Sequence, residues 1–174
     1  MVAATKEQVL KDLLNPRGRF VIEHLDKNGK KLGEYEFPNG ITNEGKDYIL
    51  DVMFNDGSAT AQATWCIGLI DNSGYSALAA ADVMNSHAGW NEFTTYSEAN
   101  RVAWGSGAAS SQSTTNASPA TFNINGSGTV KGVFVTTQNT KSGTTGYLWA
   151  TALFAADVPV SNGDQLKVTY TVSA

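Results

Sequence analysis

A chain of 174 residues with 41% apolar and 16% charged residues is sized for one compact domain, or one domain with a short arm. A net charge of −4, with Lys and Arg thinly spread, excludes the concentrated positive footprint that nucleic-acid binding needs. The single cysteine, Cys66, excludes an internal disulfide framework and any cysteine-based zinc site.

Soluble domains usually carry about a quarter charged residues. Here the deficit is filled by Ser, Thr, Asn, Ala and 17 Gly, the composition of a short-stranded β protein with many polar turns. A surface this poor in charge suits coverage by partners, and equally a neutral surface left in water. No leader-like pattern follows Met1, and no apolar run approaches the roughly 20 residues of a membrane span. The expectation is folding in a reducing cytoplasm with no membrane partner.

In chain order, Thr5 to Leu14 reads as a short amphipathic helix. Thr5 and Gln8 fit a capping box, Val9, Leu10, Leu13 and Leu14 form one apolar face, and Asn15-Pro16 stops it. About ten residues make a marginal helix alone, so this face must dock, on its own domain or on a neighbouring subunit. Residues 1–17 are thus read as a helical arm and 18–174 as a single β-sandwich domain.

A hairpin follows, with Arg19 to Leu25 meeting Lys31 to Phe37 across Asp26-Lys27-Asn28-Gly29. Asn-Gly between strand-like runs is a strong hairpin signal, and Lys27, Lys30 and Lys31 read as gatekeepers of its end. From 42 to 54 the period changes: Thr42 can cap a helix carrying Tyr48, Ile49, Leu50, Val52, Met53 and Phe54, which Asn55-Asp56-Gly57 ends. This is expected to be the one core helix, packed against a sheet.

Trp65 to Ile70 is a continuous apolar run typical of a buried strand, and a buried, inert thiol is expected for Cys66 within it. Arg101 to Trp104 reads as a short strand, and residues 105–121 as a flexible Gly/Ser/Thr-rich connection. Strands are then expected at Thr121 to Ile124, Thr129 to Thr137, Gly146 to Phe154 and Gln165 to Val172. In the last, Leu166, Val168, Tyr170 and Val172 alternate strictly with polar residues. Short strands punctuated by turns argue for an all-β, jelly-roll-like antiparallel sandwich with a short N-terminal helix and one core helix.

A search for chemistry finds little. Of the two histidines, His24 falls on a strand face, where a satisfied hydrogen bond is expected. His87 lies between Asp82 and Glu92, a spacing that matches neither a helical face nor a known metal-ligand pattern. No phosphate-cradle or nucleophile-elbow pattern is present, so neither catalysis nor a cofactor or metal is expected. Trp65 and Trp149 lie inside apolar strands and read as core. Trp90, after Gly89 in a loop, is the best candidate for an exposed, sugar-stacking ring, although a large aromatic more often anchors by burial.

Trp65 to Asn72, Ala80 to Met84, Ser86 to Glu92, Tyr96 to Arg101, Gly40 to Lys46 and Val160 to Tyr170 together resemble a family of tailed-phage virion proteins. The likeness covers roughly residues 38–172 and is one of sequence texture rather than of a mechanistic motif. It implies a small β-sandwich subunit of the virion, a capsid decoration or cement protein. Such a protein binds the major capsid protein, self-associates as a homotrimer and stabilises the head by bridging capsid subunits. The alternatives are a tail- or fibre-associated structural protein or a carbohydrate-binding attachment module. Candidate partner contacts are Val9, Leu10, Leu13 and Leu14 on the arm, and His87 and Trp90 in the 82–92 loop.

Overall fold

A computed structural model describes residues 16–55 and 57–174. Two antiparallel sheets face one another. The first joins β1 (Arg17–Leu25), β2 (Lys31–Pro38), β7 (Ser113–Thr115), β8 (Ala120–Asn123) and β11 (Gln165–Ser173) in the order β2-β1-β11, with β7 and β8 sharing the far side of β11. The second joins β3 (Gly40–Ile41), β4 (Cys66–Asp71), β5 (Asn91–Phe93), β6 (Val102–Ala103), β9 (Gly128–Thr136) and β10 (Leu148–Val160) in the order β3-β10-β9-β4-β5, with β6 also on β4. The all-β sandwich expected from the strand pattern is the architecture found.

The alternation in β11 does what its period requires. Leu166, Val168 and Tyr170 are fully buried, and opposite them in β1 His24, Ile22 and Phe20 point the same way. Phe20 stacks on Tyr170 with ring centroids 4.2 Å apart. The two sheets are also tied by polar contacts. The Tyr170 hydroxyl in the first sheet accepts from Trp149 Nε1 in the second at 2.8 Å, and from Asn39 Nδ2, in the corner between them, at 2.8 Å. Burial holds this phenol well above its ordinary pKa, opposed by those two hydrogen bonds. His24 finds the expected satisfied place, its Nε2 3.1 Å from Asp164 Oδ2, which also accepts the Ser161 N–H at 2.8 Å.

The first hairpin turns where Asn28-Gly29 stands, Gly29 taking a φ of 78° that favours glycine. Asp26 closes the loop by accepting the N–H groups of Asn28 and Lys30. The edge strand β2 carries Lys31, Glu34 and Glu36 outward, and ion pairs link Lys31 to Glu23 and Glu34 and Arg19 to Glu36. Charge along an edge discourages unwanted strand addition. In β10 a register shift between Leu153 and Val158 pushes Ala155 and Ala156 outward, and Pro159 follows, two further devices of the same kind.

Two expectations need correction. Residues 105–121 are not a flexible link. They fold back as a hairpin in which Ser110 and Ser113 exchange backbone hydrogen bonds across Ser111 and Gln112, both at positive φ, and β7 joins the sheet. Composition misled because Ser and Thr make good edge-strand residues once a partner strand offers them a ladder. The helix α1 (Asn43–Phe54) is where it was expected, with Thr42 as N-cap accepting from the Gly45 N–H at 3.0 Å. It is not a core helix, however: its one buried residue is Gly45, and it lies on the outside of the sandwich.

What fastens α1 is its first turn. The buried Thr42 hydroxyl also donates to the Leu148 carbonyl, and Glu44 accepts the Leu148 N–H at 2.6 Å. Gly45 lies so close to the Trp149 backbone that an added Cβ would meet its carbonyl oxygen at 2.5 Å. Thr42→Ala therefore removes both the cap and a tether. We expect a loss of about 1–2 kcal/mol in denaturant unfolding, largely restored by Thr42→Ser.

Candidate functional site

Of the candidate contacts, Val9, Leu10, Leu13 and Leu14 lie outside the described residues. His87 and Trp90 lie in the long loop between β4 and β5, and the structure corrects the exposed reading of Trp90. Its ring is 1% exposed and packs with Ile70, Met84, Phe134 and Leu148 in a small core outside the main one. Its Nε1 donates to Asp82 Oδ2 at 3.0 Å, and the same carboxylate oxygen accepts the Ala79 N–H at 2.9 Å. His87, half-buried, stacks on the indole at 3.9 Å, with Nδ1 3.1 Å from the Trp90 carbonyl oxygen. The ring anchors the loop and presents no face to a sugar; of the two candidate contacts in this loop, only His87 is partly open to solvent.

Beside this anchor sits a clamp that sequence reading missed. Arg101 donates from Nε and a terminal nitrogen to both oxygens of Glu92, at 3.0 and 2.8 Å, with both side chains almost wholly buried. It also donates to the carbonyls of Gln138 and Gly143, at 2.9 and 3.0 Å, and lies over the Phe134 ring at 5.1 Å. Glu92 accepts the Ser142 N–H at 2.6 Å. One ion pair thus joins β5, the segment before β6 and the β9–β10 loop. A cavity of about 190 Å³ opens here between His87, Glu92, Arg101 and Ser142, but its opposite charges are spent on one another.

Asp82, His87 and Glu92 are therefore not assembled as a set: they serve Trp90's indole, Trp90's backbone and Arg101 respectively. Among the described residues no group of three His, Cys, Asp or Glu side chains is placed to hold a metal ion, and no helix is long and apolar enough to cross a membrane. The Cys66 thiol is buried at the start of β4, and that burial pushes its pKa up against a weaker lowering by Arg101.

The feature that stands out on the surface is α1. Gly45, Tyr48, Ile49 and Val52 turn towards the sandwich, whereas Leu50, Met53 and Phe54 form an i, i+3, i+4 stripe facing away. These three are 54%, 62% and 77% exposed. Large apolar side chains exposed together mark an interaction surface more often than chance allows. The sequence did carry a signal for this, since apolar residues from 48 to 54 occupy both sides of the helix rather than one stripe. Beside α1 lies an apolar groove of about 320 Å³, walled by Tyr48, Val52, Trp65, Trp104 and Val172.

The chain matches no family model, and no curated protein matches it.

Proposed function

We propose that this chain is a non-enzymatic structural subunit of a tailed-phage particle, a decoration or cement protein that binds the major capsid protein as a homotrimer and bridges capsid subunits. The observation that carries the reading is the Leu50, Met53 and Phe54 stripe, held out from a sandwich whose edges are otherwise guarded by charge, a bulge and proline. It lies within the 38–172 span that resembles virion proteins. Low surface charge suits such contacts, and symmetry multiplies weak ones into firm attachment.

We also read the sandwich as jelly-roll-like, because the chain's outer strands roll up together. The first strand β1 lies beside the last, β11, and β3 lies beside β10.

The test is addition of the purified protein to phage heads that lack it, imaged by electron cryomicroscopy. Regular density at symmetry-related positions on the shell is expected, with α1 against the shell or a neighbouring copy. Met53→Asp with Phe54→Asp should weaken attachment at least about tenfold while leaving the unfolding midpoint unchanged, because exposed side chains contribute little to the fold. Heads that stay bare in large excess of protein would overturn the head assignment.

A further inference from the structure

Asparagine followed by glycine is the dipeptide in which a chain most readily attacks itself. Glycine has no Cβ to obstruct its own backbone nitrogen, and its conformational freedom lets that nitrogen reach the asparagine side chain. This chain holds four such pairs, Asn28-Gly29, Asn39-Gly40, Asn125-Gly126 and Asn162-Gly163, and every other asparagine precedes a residue with a side chain. Attack requires a glycine nitrogen released from hydrogen bonding and a carboxamide free to turn towards it.

The fold withholds one or both at three of the pairs. The Gly29 N–H donates to the Asp26 carbonyl at 2.9 Å, inside the first hairpin turn. The Gly163 N–H donates to the Ile124 carbonyl at 2.8 Å, which ties the turn before β11 to the end of β8. Asn39 has its Nδ2 on the Tyr170 hydroxyl at 2.8 Å, and Gly40 is paired with Thr151 in the β3–β10 ladder. Asn125-Gly126 is different. It lies in the link between β8 and β9, with Asn125 exposed. Among the described residues, neither the Gly126 N–H nor the Asn125 carboxamide has a hydrogen-bond partner. The Asn125 N–H reaches the Thr95 carbonyl only at 3.4 Å.

We propose that Asn125 is a site of spontaneous deamidation, the one Asn-Gly pair that the native fold leaves open to it. The Gly126 backbone nitrogen gives its proton to water or hydroxide and bonds to Asn125 Cγ. The Cγ–Nδ2 bond breaks and Nδ2 leaves as ammonia, which closes a five-membered succinimide. Water then opens the ring at either carbonyl. Cleavage between the ring nitrogen and Cγ leaves aspartate in an ordinary chain. Cleavage between that nitrogen and the Asn125 carbonyl carbon leaves isoaspartate, with the chain running through Cγ. One water enters and one ammonia leaves, with no oxidant or reductant. Either product carries a carboxylate where the chain had a neutral amide. Isoaspartate also adds a methylene to the main chain directly after Ile124, whose carbonyl holds Gly163 and whose N–H donates to the Asp164 carbonyl at 2.8 Å. The change is therefore a one-way mark of age beside the point where the turns before β9 and β11 are tied together. The inference does not depend on the virion reading.

The experiment holds the full chain in mildly alkaline buffer, one sample folded and one in strong denaturant, and follows its proteolytic peptides over time by mass spectrometry. In the folded protein the Asn125 peptide should gain isoaspartate at least about tenfold faster than those of Asn28, Asn39 and Asn162, each of which must first break a native hydrogen bond. In denaturant the four rates should converge, which assigns the ranking to the fold. Asn125→Gln should remove the fast phase of ammonia release from the folded protein. Equal rates at the four pairs of the folded protein, or a lead by Asn28, Asn39 or Asn162, would overturn the proposal. So would a ranking that persists unchanged in denaturant, because it would then come from neighbouring sequence alone.

Discussion

Arg101→Ala lowers the stability of this protein by about 3–5 kcal/mol, the cost of leaving one charge of a buried pair without its partner. The Glu92 carboxylate would keep the Ser142 N–H but lose both guanidinium contacts, in a place where Glu92 is almost closed to water. The carbonyls of Gln138 and Gly143 would lose their donors as well, which loosens the β9–β10 loop. Denaturant unfolding measures the loss. Arg101→Met combined with Glu92→Leu should recover part of it, because no lone charge remains, yet not all, because those carbonyls stay unpaired. A single-variant loss under about 1 kcal/mol would show that water reaches the pair and that the clamp contributes little.

Trp90→Ala is expected to cost a similar amount, about 3–5 kcal/mol, through a cavity among Ile70, Met84, Phe134 and Leu148. It also strips Asp82 of its indole donor and His87 of the ring it stacks on. Trp90→Phe separates these effects: it keeps most of the packing and should cost about 1–3 kcal/mol for the unmet carboxylate. The same pair of variants decides the fate of the sugar-binding alternative. A stacking platform on the surface would give Trp90→Ala normal stability and lost glycan binding, whereas a loop anchor gives an early unfolding midpoint. An unchanged midpoint would contradict the burial described here.

The two losses have a common origin. Both residues belong to the stretch from 72 to 101, where the three-residue β5 is the one named strand and buried side chains do much of the holding. Such a segment depends on a few buried contacts, so single substitutions there weigh more than in the β1–β11 ladder, where backbone pairing is spread over nine residue pairs.

Features that depend on near neighbours were legible along the chain. The alternation through Leu166, Val168 and Tyr170 set the buried face of β11, Asn28-Gly29 set the first hairpin, and Thr42 set the start of α1. Each is a local preference of period, turn or cap that the tertiary structure had no reason to override. Partners that lie across the fold were not legible there. The strands Gly40–Ile41, Asn91–Phe93 and Ser113–Thr115 are too short for a period and exist because β10, β4 and β11 offer them ladders. Arg101 read only as the start of a short strand and Glu92 as a neighbour of His87 until the fold paired them, and the burial favoured for Trp90 acquired its partners only where Phe134 and Asp82 meet it. The outward stripe of α1 was decided the same way, since which apolar side of a helix is buried depends on where its first turn is tied, and Thr42, Glu44 and Gly45 tie this one to the start of β10.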